Sequence, residues 1–269
     1  MTQNSRRQLL CLVLIVLTIV GCNKVAEFLR SSKDGDIKYC NIKSIQFAYD
    51  YKPKVATISY NAHGYPVSAI LNQTETGLTN RYYYYDKKDR LVKEVGDYGN
   101  GIFQYYRKYQ HDAKGRVISD TTYAEGELSP GREMISYLSF TTSTYHYDKY
   151  DRVIKYTMQF NFTPPTRPIA WFYEYDEDGN LSGTGAGAAD EPPVIEPLNL
   201  QYDNKINPNR TNKIWMFLNR DYSVNNSFIA DSYNQNKLPL KINIPERSQP
   251  PYTFFGIGME KSEFTYLCK

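Results

Sequence analysis

Four stretches of this sequence follow one pattern, and that pattern decides the fold. They read YDKKDRL at Tyr85–Leu91, HDAKGRV at His111–Val117, YDKYDRV at Tyr147–Val153 and YDEDGNL at Tyr175–Leu181. Two diverged copies flank them, YNAHGYP at Tyr60–Pro66 and YNQNKLP at Tyr233–Pro239. A seven-residue pattern that recurs along most of a chain indicates a repeat architecture.

Each copy predicts the tip of a β-hairpin. The Asp or Asn at the second position accepts a hydrogen bond from the backbone two residues on and so starts an Asx turn. The fifth position holds Gly or Asp in five copies, and these residues tolerate a positive φ. Gly115 and Gly179 are therefore predicted to have positive φ, whereas Lys237 in the last copy departs from the pattern.

The segments between the copies predict strands. In four copies a tyrosine stands two residues before the first position, which places both aromatic rings on one sheet face. Alternating segments that read as strands are Ile45–Tyr51, Ile102–Tyr109, Ile135–Tyr147 and Ala170–Tyr175. We expect an all-β fold, a meander of consecutive antiparallel β-hairpins that forms one curved sheet, either open or partly closed on itself.

Two segments depart from the strand pattern. Ser182–Pro197 is rich in Gly and Pro and predicts a surface loop. Thr211–Asn219 predicts one short helix, with Thr211 or Asn212 as the capping residue.

The copies resemble the YD repeats of the Rhs family, Tyr-Asp-x-x-Gly-Arg-Leu. More closely, the chain resembles a group of gut-Bacteroidetes lipoproteins of unknown function that are built from diverged copies of this hairpin. The resemblance covers residues 54–244 and extends to Tyr202–Pro208 and Tyr222–Asn226. It implies a fold and a location, and it brings no activity and no site residues.

The first 21 residues predict a signal peptide of the lipoprotein type. Arg6 and Arg7 precede Leu9–Val20, an uncharged apolar run that is too short to span a bilayer. Gly21 and Cys22 follow it directly, so the site resembles a lipobox with Cys22 as the acylated residue. The alternatives are a cleaved secretory peptide with an incidental cysteine and, from the paired arginines, a twin-arginine signal.

Acylation of Cys22 makes the lipid bilayer the first expected partner, because several acyl chains hold a protein firmly to a membrane. Residues 22–36 then form a lipidated tether, and residues 37–269 form a single β-hairpin repeat domain. Asn23 is not the Asp that retains many lipoproteins in an inner membrane, which favours the outer membrane. The periplasmic face and the cell surface both stay open as locations.

Composition excludes several classes of protein. The chain has 32 basic and 29 acidic side chains, and without Arg6 and Arg7 the numbers become 30 and 29. A nucleic-acid binder needs a dense basic footprint, so we expect no nucleic-acid partner. A hydrophobic content of 41% with 15% aromatic residues is too apolar for a disordered chain.

No motif predicts a catalytic residue, a cofactor or a metal. Gly183–Ala188 matches a dinucleotide-binding pattern, but the following Asp-Glu-Pro-Pro does not open the helix that such a site needs. Asp176, Asp178 and Asn180 resemble the start of a calcium loop, but Leu181 stands where that loop needs Gly. The three histidines, His63, His111 and His146, lie apart from one another without a ligand motif.

The tyrosines have two interpretations. Tyr82–Tyr85 alternates its rings between the two sheet faces, which suits cross-strand aromatic packing in place of a thick core. The functional interpretation is an exposed aromatic platform for sugar rings or a partner protein.

The cysteines predict a disulfide. Cys11 is removed with the signal peptide and Cys22 is acylated, which leaves Cys40 near the start of the domain and Cys268 at its end. An even pair in an oxidising compartment is usually bridged. The alternative is two separate buried cysteines that behave as small apolar side chains.

Taken together, these features predict a non-catalytic envelope lipoprotein that acts as a binding or structural module, with a glycan or an envelope protein as ligand. The alternative is a carbohydrate-active enzyme, similar to a glycoside hydrolase, with acidic residues on the sheet face. Two facing carboxylates roughly 5–10 Å apart would favour hydrolysis, and tyrosines with few carboxylates would favour binding.

Overall fold

The computed structural model describes residues 40–49, 52–162, 164, 166–243, 253–254, 257–258 and 261–268. The predicted signal peptide, Cys22 and the predicted tether lie outside these residues. No helix among the described residues is long and apolar enough to cross a membrane.

Strands make up most of the described chain. They are β1 (Cys40–Tyr49), β2 (Lys52–Tyr60), β3 (Pro66–Leu71), β4 (Asn80–Tyr85), β5 (Leu91–Asp97), β6 (Ile102–His111), β7 (Val117–Leu128), β8 (Met134–Tyr147), β9 (Val153–Phe160), β10 (Ile169–Tyr175), β11 (Leu181–Ala188), β12 (Glu196–Pro197), β13 (Ser232–Tyr233), β14 (Pro239–Asn243), β15 (Thr253–Phe254), β16 (Ile257–Gly258) and β17 (Lys261–Cys268). A 3₁₀ turn (Pro208–Thr211) precedes the helix α1 (Lys213–Asn219).

Fifteen of these strands form one antiparallel sheet. Strands β1 to β12 lie side by side in chain order, and β17, β14 and β13 continue the sheet beyond β1. The sheet does not close into a barrel, because β12 and β13 are its two terminal strands. The predicted all-β meander of consecutive hairpins is confirmed, and the sheet is open.

The six repeat copies are hairpin turns at the same end of this sheet. We number them in chain order: the first tip (60–66) joins β2 and β3, the second (85–91) β4 and β5, the third (111–117) β6 and β7, the fourth (147–153) β8 and β9, the fifth (175–181) β10 and β11, and the sixth (233–239) β13 and β14. Antiparallel strands alternate in direction, so every tip follows a strand that runs the same way. We call this edge the tip end.

One hydrogen-bond pattern builds every tip. In the third tip, Asp112 Oδ1 accepts the backbone N–H groups of Lys114 and Arg116, both at 2.9 Å. The backbone N–H of Asp112 donates to the Arg116 carbonyl at 2.9 Å, and that of Gly115 donates to the Asp112 carbonyl at 3.0 Å. Both bonds to the side chain at the second position recur in the first, second, fourth and sixth tips. In the fifth tip, the side chain at the second position accepts the N–H group four residues ahead.

The fifth position of each tip lies in the left-handed region. Gly115 has φ 81° and Gly179 has φ 84°, which confirms the prediction for both. The other fifth positions also have positive φ, namely Gly64, Asp89, Asp151 and Lys237. Lys237, with φ 63°, therefore adopts the same turn although its residue type departs from the pattern.

Tyrosine hydroxyl groups connect neighbouring hairpins at the tip end. Tyr85 of the second tip donates to the carbonyl of Pro66 at 2.8 Å, and Tyr147 of the fourth tip donates to the carbonyl of Val117 at 2.6 Å. Pro66 and Val117 each occupy the seventh position of the preceding tip. Tyr202 and Tyr266 make the same bond to the seventh positions of the fifth and sixth tips. Each of these tyrosines thus holds the start of a returning strand.

Helix α1 packs on one face of the sheet, which we call the inner face. Trp215 contacts Tyr83 edge-on, with ring centroids 5.7 Å apart, and Phe217 contacts Tyr109 and Tyr145 at 5.7 and 5.2 Å. One hydrophobic core joins this helix to β1–β9, β14 and β17. Eleven flat strands would extend about 50 Å, whereas seven helical residues extend only about 10 Å. Most of this core is therefore built by side chains of the sheet that lie beyond the helix.

The predicted helix is confirmed within 211–219, and the predicted loop is wrong in part. Asn212 caps α1 by accepting the N–H of Ile214 at 3.1 Å. Within Ser182–Pro197, the glycine-rich half belongs to strand β11, which pairs with β10 along its length. A side chain at Gly185 would overlap the backbone of Val194, which crosses directly over it. The glycines there permit close packing rather than a flexible loop.

The tyrosine bonds between hairpins predict a difference between two neighbouring substitutions. Tyr85→Phe removes the donor to the Pro66 carbonyl and should lower the free energy of unfolding by about 1 kcal/mol. Tyr83 lies two residues earlier on the same face, and its buried hydroxyl has no hydrogen-bond partner among the described residues. Tyr83→Phe is therefore the matched control and should leave the stability unchanged or slightly raised. Denaturant unfolding of both variants measures the difference, and equal losses would contradict a specific role for the Tyr85 hydroxyl.

Candidate functional site

Buried charges cross the inner face beside α1. Arg107 on β6 contacts Glu94 on β5 at 3.2 Å and Asp120 on β7 at 3.7 Å, and both carboxylates are buried. The hydroxyl groups of Tyr105 and Tyr109 donate to Glu94 at 3.0 and 2.8 Å. These acidic side chains are thus neutralised within the fold, as buried charges require.

Arg220, at the end of α1, extends this network to the helix. Its guanidinium lies 4.4 Å from the Phe217 ring centroid and 4.7 Å from that of Tyr145, and it donates to the Tyr145 hydroxyl at 2.9 Å. Tyr145 in turn donates to Asp120. Burial raises the pKa of Tyr145, so this phenol keeps its proton and acts as a donor. The network joins the helix to the sheet.

The opposite, outer face carries a second and smaller cluster of aromatic residues. Lys93 Nζ lies 3.9 Å from the Tyr84 ring centroid and 2.5 Å from a Glu133 oxygen, and the Arg132 guanidinium lies 3.7 Å from the Tyr82 ring centroid. With Tyr83 on the inner face, the Tyr82–Tyr85 run therefore packs on both faces, as the cross-strand interpretation predicts. None of these rings forms an open platform.

A large cavity lies at the tip end, between the tips and α1. It has a volume of about 560 Å³, and we call it the tip groove. One wall consists of residues 88–91, 113–117 and 150–152 from the second, third and fourth tips, with Gly179 from the fifth. The other wall consists of Arg210, residues 213–217 except Trp215, and Tyr222 and Val224. The repeat turns thus line the cavity directly.

Three arginines in the wall of the groove are paired within their own tips. Arg90, Arg116 and Arg152 each donate through Nε to the aspartate at the second position of the same tip, at 2.7 to 2.8 Å. The Arg90 guanidinium and backbone N–H bonds hold the pKa of Asp86 at about 2, below its ordinary value of 3.8. These pairs hold the tips in shape.

Other cations at the groove are not paired. Arg210 makes no ion pair or side-chain hydrogen bond within the described residues, and the same holds for the exposed Lys88 and Lys114. Burial lowers the pKa of Arg210, against the opposing charge of Asp221. Lys213 is exposed and lies 5.1 Å from the Tyr65 ring centroid. The groove therefore presents an excess of positive charge.

The acidic and histidine motifs considered in the sequence analysis lie at the following places in the structure. Asp176, Asp178 and Asn180 lie in the fifth tip, where Asp176 accepts the N–H of Asn180 at 2.8 Å. His63 contacts Asp89 at 2.9 Å, His111 lines the tip groove and His146 is exposed on β8. Within the part of the chain that the structure describes, no three potential ligands cluster around a metal position.

Cys40 and Cys268 face each other in the register of β1 and β17, and the structure joins them in a disulfide with Cα atoms 3.9 Å apart. The bridge spans 228 residues of sequence and lies at the tip end. Asn236 of the sixth tip contacts Cys40 Sγ at 3.0 Å through its side-chain amide. The first and last strands of the domain thus meet beside a repeat turn.

Sequence reasoning did not identify Arg210 and Lys213 as site residues. Both lie outside the repeat copies, in a segment that folds back over the inner face. The groove exists only because this segment meets the tips, so no local pattern in the sequence indicates it.

Comparisons with known proteins identify no family for the chain. No protein-family model matches it, and no curated protein matches it. It is similar to part of a chain in the crystal structure of TcdB2-TccC3-Cdc42, with 14% identity and a TM-score of 0.31, over 77% of this chain and 11% of that chain. It is also similar, with 15% identity and a TM-score of 0.30 over 78% and 11%, to a chain in a Photorhabdus luminescens Tc holotoxin pore with a mutated TccC3. This chain spans about a ninth of those chains, and similarity at this level identifies no activity or partner.

The disulfide predicts a thiol count and a stability change. The unfolded, unreduced protein should contain no titratable thiol from Cys40 or Cys268, because the two are bridged. Replacement of both Cys40 and Cys268 by Ser should lower the free energy of unfolding by up to about 5 kcal/mol, since the bridge closes nearly the whole domain. Two titratable thiols, or an unchanged unfolding midpoint in reductant, would contradict the bridge.

Proposed function

We propose that this protein is a non-catalytic binding module of the bacterial envelope, anchored to the outer membrane through acylated Cys22, and that it binds its ligand in the tip groove. The single observation that carries the proposal is the groove itself. Its volume of about 560 Å³ lies within the range of ligand sites, and its walls combine apolar and charged side chains.

The preformed shape of the groove supports a binding role. The tip backbones bond internally, and their arginines are fixed on their own aspartates. A site whose walls are already ordered loses little conformational entropy when a ligand binds.

The distribution of acidic side chains favours binding over hydrolysis. Two carboxylates line the groove: Asp151 accepts from Arg116 at 2.9 Å, and Asp89 contacts His63 at 2.9 Å. Glu94 and Asp120 on the inner face are buried in ion pairs. A glycoside hydrolase needs one carboxyl group to donate a proton and another to act on the sugar. Engagement of all four with basic partners opposes that use.

The proposed anchor would connect to the domain at the tip end. Strand β1 starts at the tip end, so residues 22–39 connect to the domain beside the tips. Eighteen residues reach at most about 60 Å, which limits how far the groove stands from the bilayer.

The anchor makes a direct prediction. Wild-type cells grown with labelled palmitate should incorporate the label into this protein, and the protein should sediment with membranes. Cys22→Ala should abolish labelling and release the chain to the soluble fraction. Membrane sedimentation of the Cys22→Ala variant, together with an unlabelled wild type, would contradict the anchor.

The groove makes a second prediction, which tests the binding role. The full-length lipoprotein in detergent is applied to a glycan array, and we expect retention of a defined subset of glycans. Ala113→Trp places a large ring at the groove without removing a hydrogen bond of the third tip, and it should abolish retention. Gln235→Trp is the matched control, because it changes the same third position of the sixth tip, outside the groove lining.

Two outcomes would overturn the proposal. Equal retention by Ala113→Trp and Gln235→Trp would show that the groove is not the binding site. Turnover of a glycan, lost on substitution of Asp89 or Asp151 by Asn, would favour the hydrolase instead.

A further inference from the structure

We propose that the ligand of the tip groove is an acidic sugar, a pyranose ring that carries a carboxylate or a phosphate. This inference rests on the proposed function and names the chemical class of its ligand. It is drawn from the charges of the groove, from its apolar floor and from the closed backbone of its walls.

Arg210 is the central observation. Its guanidinium is half-buried beside the cavity, and among the described residues no carboxylate lies within ion-pair distance. Asp221, whose charge acts on Arg210, already accepts hydrogen bonds from the side chains of Asn207 and Asn209 at 2.7 and 3.0 Å. A partly desolvated cation without a partner favours an incoming anion, and the planar guanidinium matches a carboxylate or phosphate with two parallel bonds.

Lysines from both walls add to this charge. Lys88 and Lys114 stand at the fourth positions of two successive tips, and Lys213 stands on the helix opposite them. Seven Lys and Arg side chains line the groove, whereas Asp89 and Asp151 line it and three further aspartates pair with its arginines, so seven positive charges face five negative ones and an excess of two remains. Such a cationic rim attracts an anion from solution and holds it by charge-assisted bonds.

The floor of the groove suits the ring of a sugar. Leu91, Val117 and Phe217 are buried at its base, and Tyr147, Tyr150 and Tyr222 also line it. Tyr150 is 38% exposed, so part of its ring is available to a ligand. Tyrosine combines an apolar face with a polar hydroxyl, which matches the apolar and polar faces of a pyranose.

The backbone of the walls favours a sugar over an acidic peptide. An extended peptide commonly binds by adding a strand to a free sheet edge. The groove offers no such edge, because each wall strand is closed by a tip, and the terminal strands β12 and β13 do not line it. Recognition in the groove therefore depends on side chains.

The test compares each acidic sugar with its uncharged counterpart, by calorimetric titration into the full-length lipoprotein in detergent. The first pair is tri-galacturonic acid and its fully methyl-esterified form. The second pair is N-acetylglucosamine 1-phosphate and N-acetylglucosamine. Inorganic phosphate and a hexaglutamate peptide complete the set. We expect at least one acidic sugar to bind 10-fold or more tightly than its uncharged partner, than inorganic phosphate and than the peptide.

Substitutions test whether the positive charge that binds the acidic sugar belongs to the groove. Arg210→Met should weaken binding of the acidic sugar about 10-fold or more, which corresponds to the loss of a charge-assisted bond. Arg167→Met is the matched control, because Arg167 is an exposed, ion-paired arginine at the opposite end of the sheet, and it should have no effect. Lys213→Gln changes an exposed side chain and provides a second test should Arg210→Met fail to fold.

The outcomes separate this inference from the proposed function. Equal affinity for the acidic and uncharged sugars, with binding lost in Ala113→Trp, would overturn the acidic ligand and leave the groove as the binding site. Equal or tighter binding of hexaglutamate would overturn the sugar. Acidic-sugar binding that Ala113→Trp does not change would overturn the groove, and with it both proposals.

Discussion

The side-chain oxygen at the second position of each tip is the constraint on which the rest of the structure depends. In five of the six tips a single Asp or Asn oxygen accepts two backbone N–H groups, two and four residues ahead, and in the fifth it accepts the second of these. The oxygen thus fixes where a strand ends and the next begins. Strand pairing has a period of two residues, so a slip of one residue would exchange the faces of the sheet. A fixed turn in every second connection thus keeps the aromatic rings and the buried charges on their faces.

The remaining features follow from this regular placement. Because alternate connections carry the pattern, all six tips lie at one end, where the tyrosine hydroxyl groups and the disulfide join neighbouring strands. Helix α1 packs on the inner face of the open sheet, and Arg220 connects the helix to Asp120 through Tyr145. The tips then meet the segment around Arg210 and enclose the tip groove. Because the repeats place their turns at one end of the sheet, residues from four successive turns line a single groove.

The sequence predicts those parts of the structure that depend on local chemistry. The hairpin turns at the tips can be predicted from the sequence, because the Asx turn and the positive φ at Gly115 and Gly179 involve residues within a few positions of each other. Strand β11 is misread as a loop because the need for glycine at Gly185 arises from Val194, which crosses over it only in the folded chain. Lys237 adopts a positive φ because the surrounding turn imposes it. The groove depends on a contact between segments that are distant in the sequence. The residues around Arg210 form no sequence pattern that would predict its place in the groove.

The most direct test of this account is a comparison of two substitutions at Asp112. Asp112→Asn keeps an oxygen for both backbone N–H groups, as Asn61 and Asn234 do in the first and sixth tips. Asp112→Ala removes it. We expect Asp112→Ala to lower the free energy of unfolding by about 1–3 kcal/mol, and Asp112→Asn to lower it by less than about 1 kcal/mol. Equal losses in the two variants, or no loss in Asp112→Ala, would contradict the claim that this oxygen fixes the hairpins.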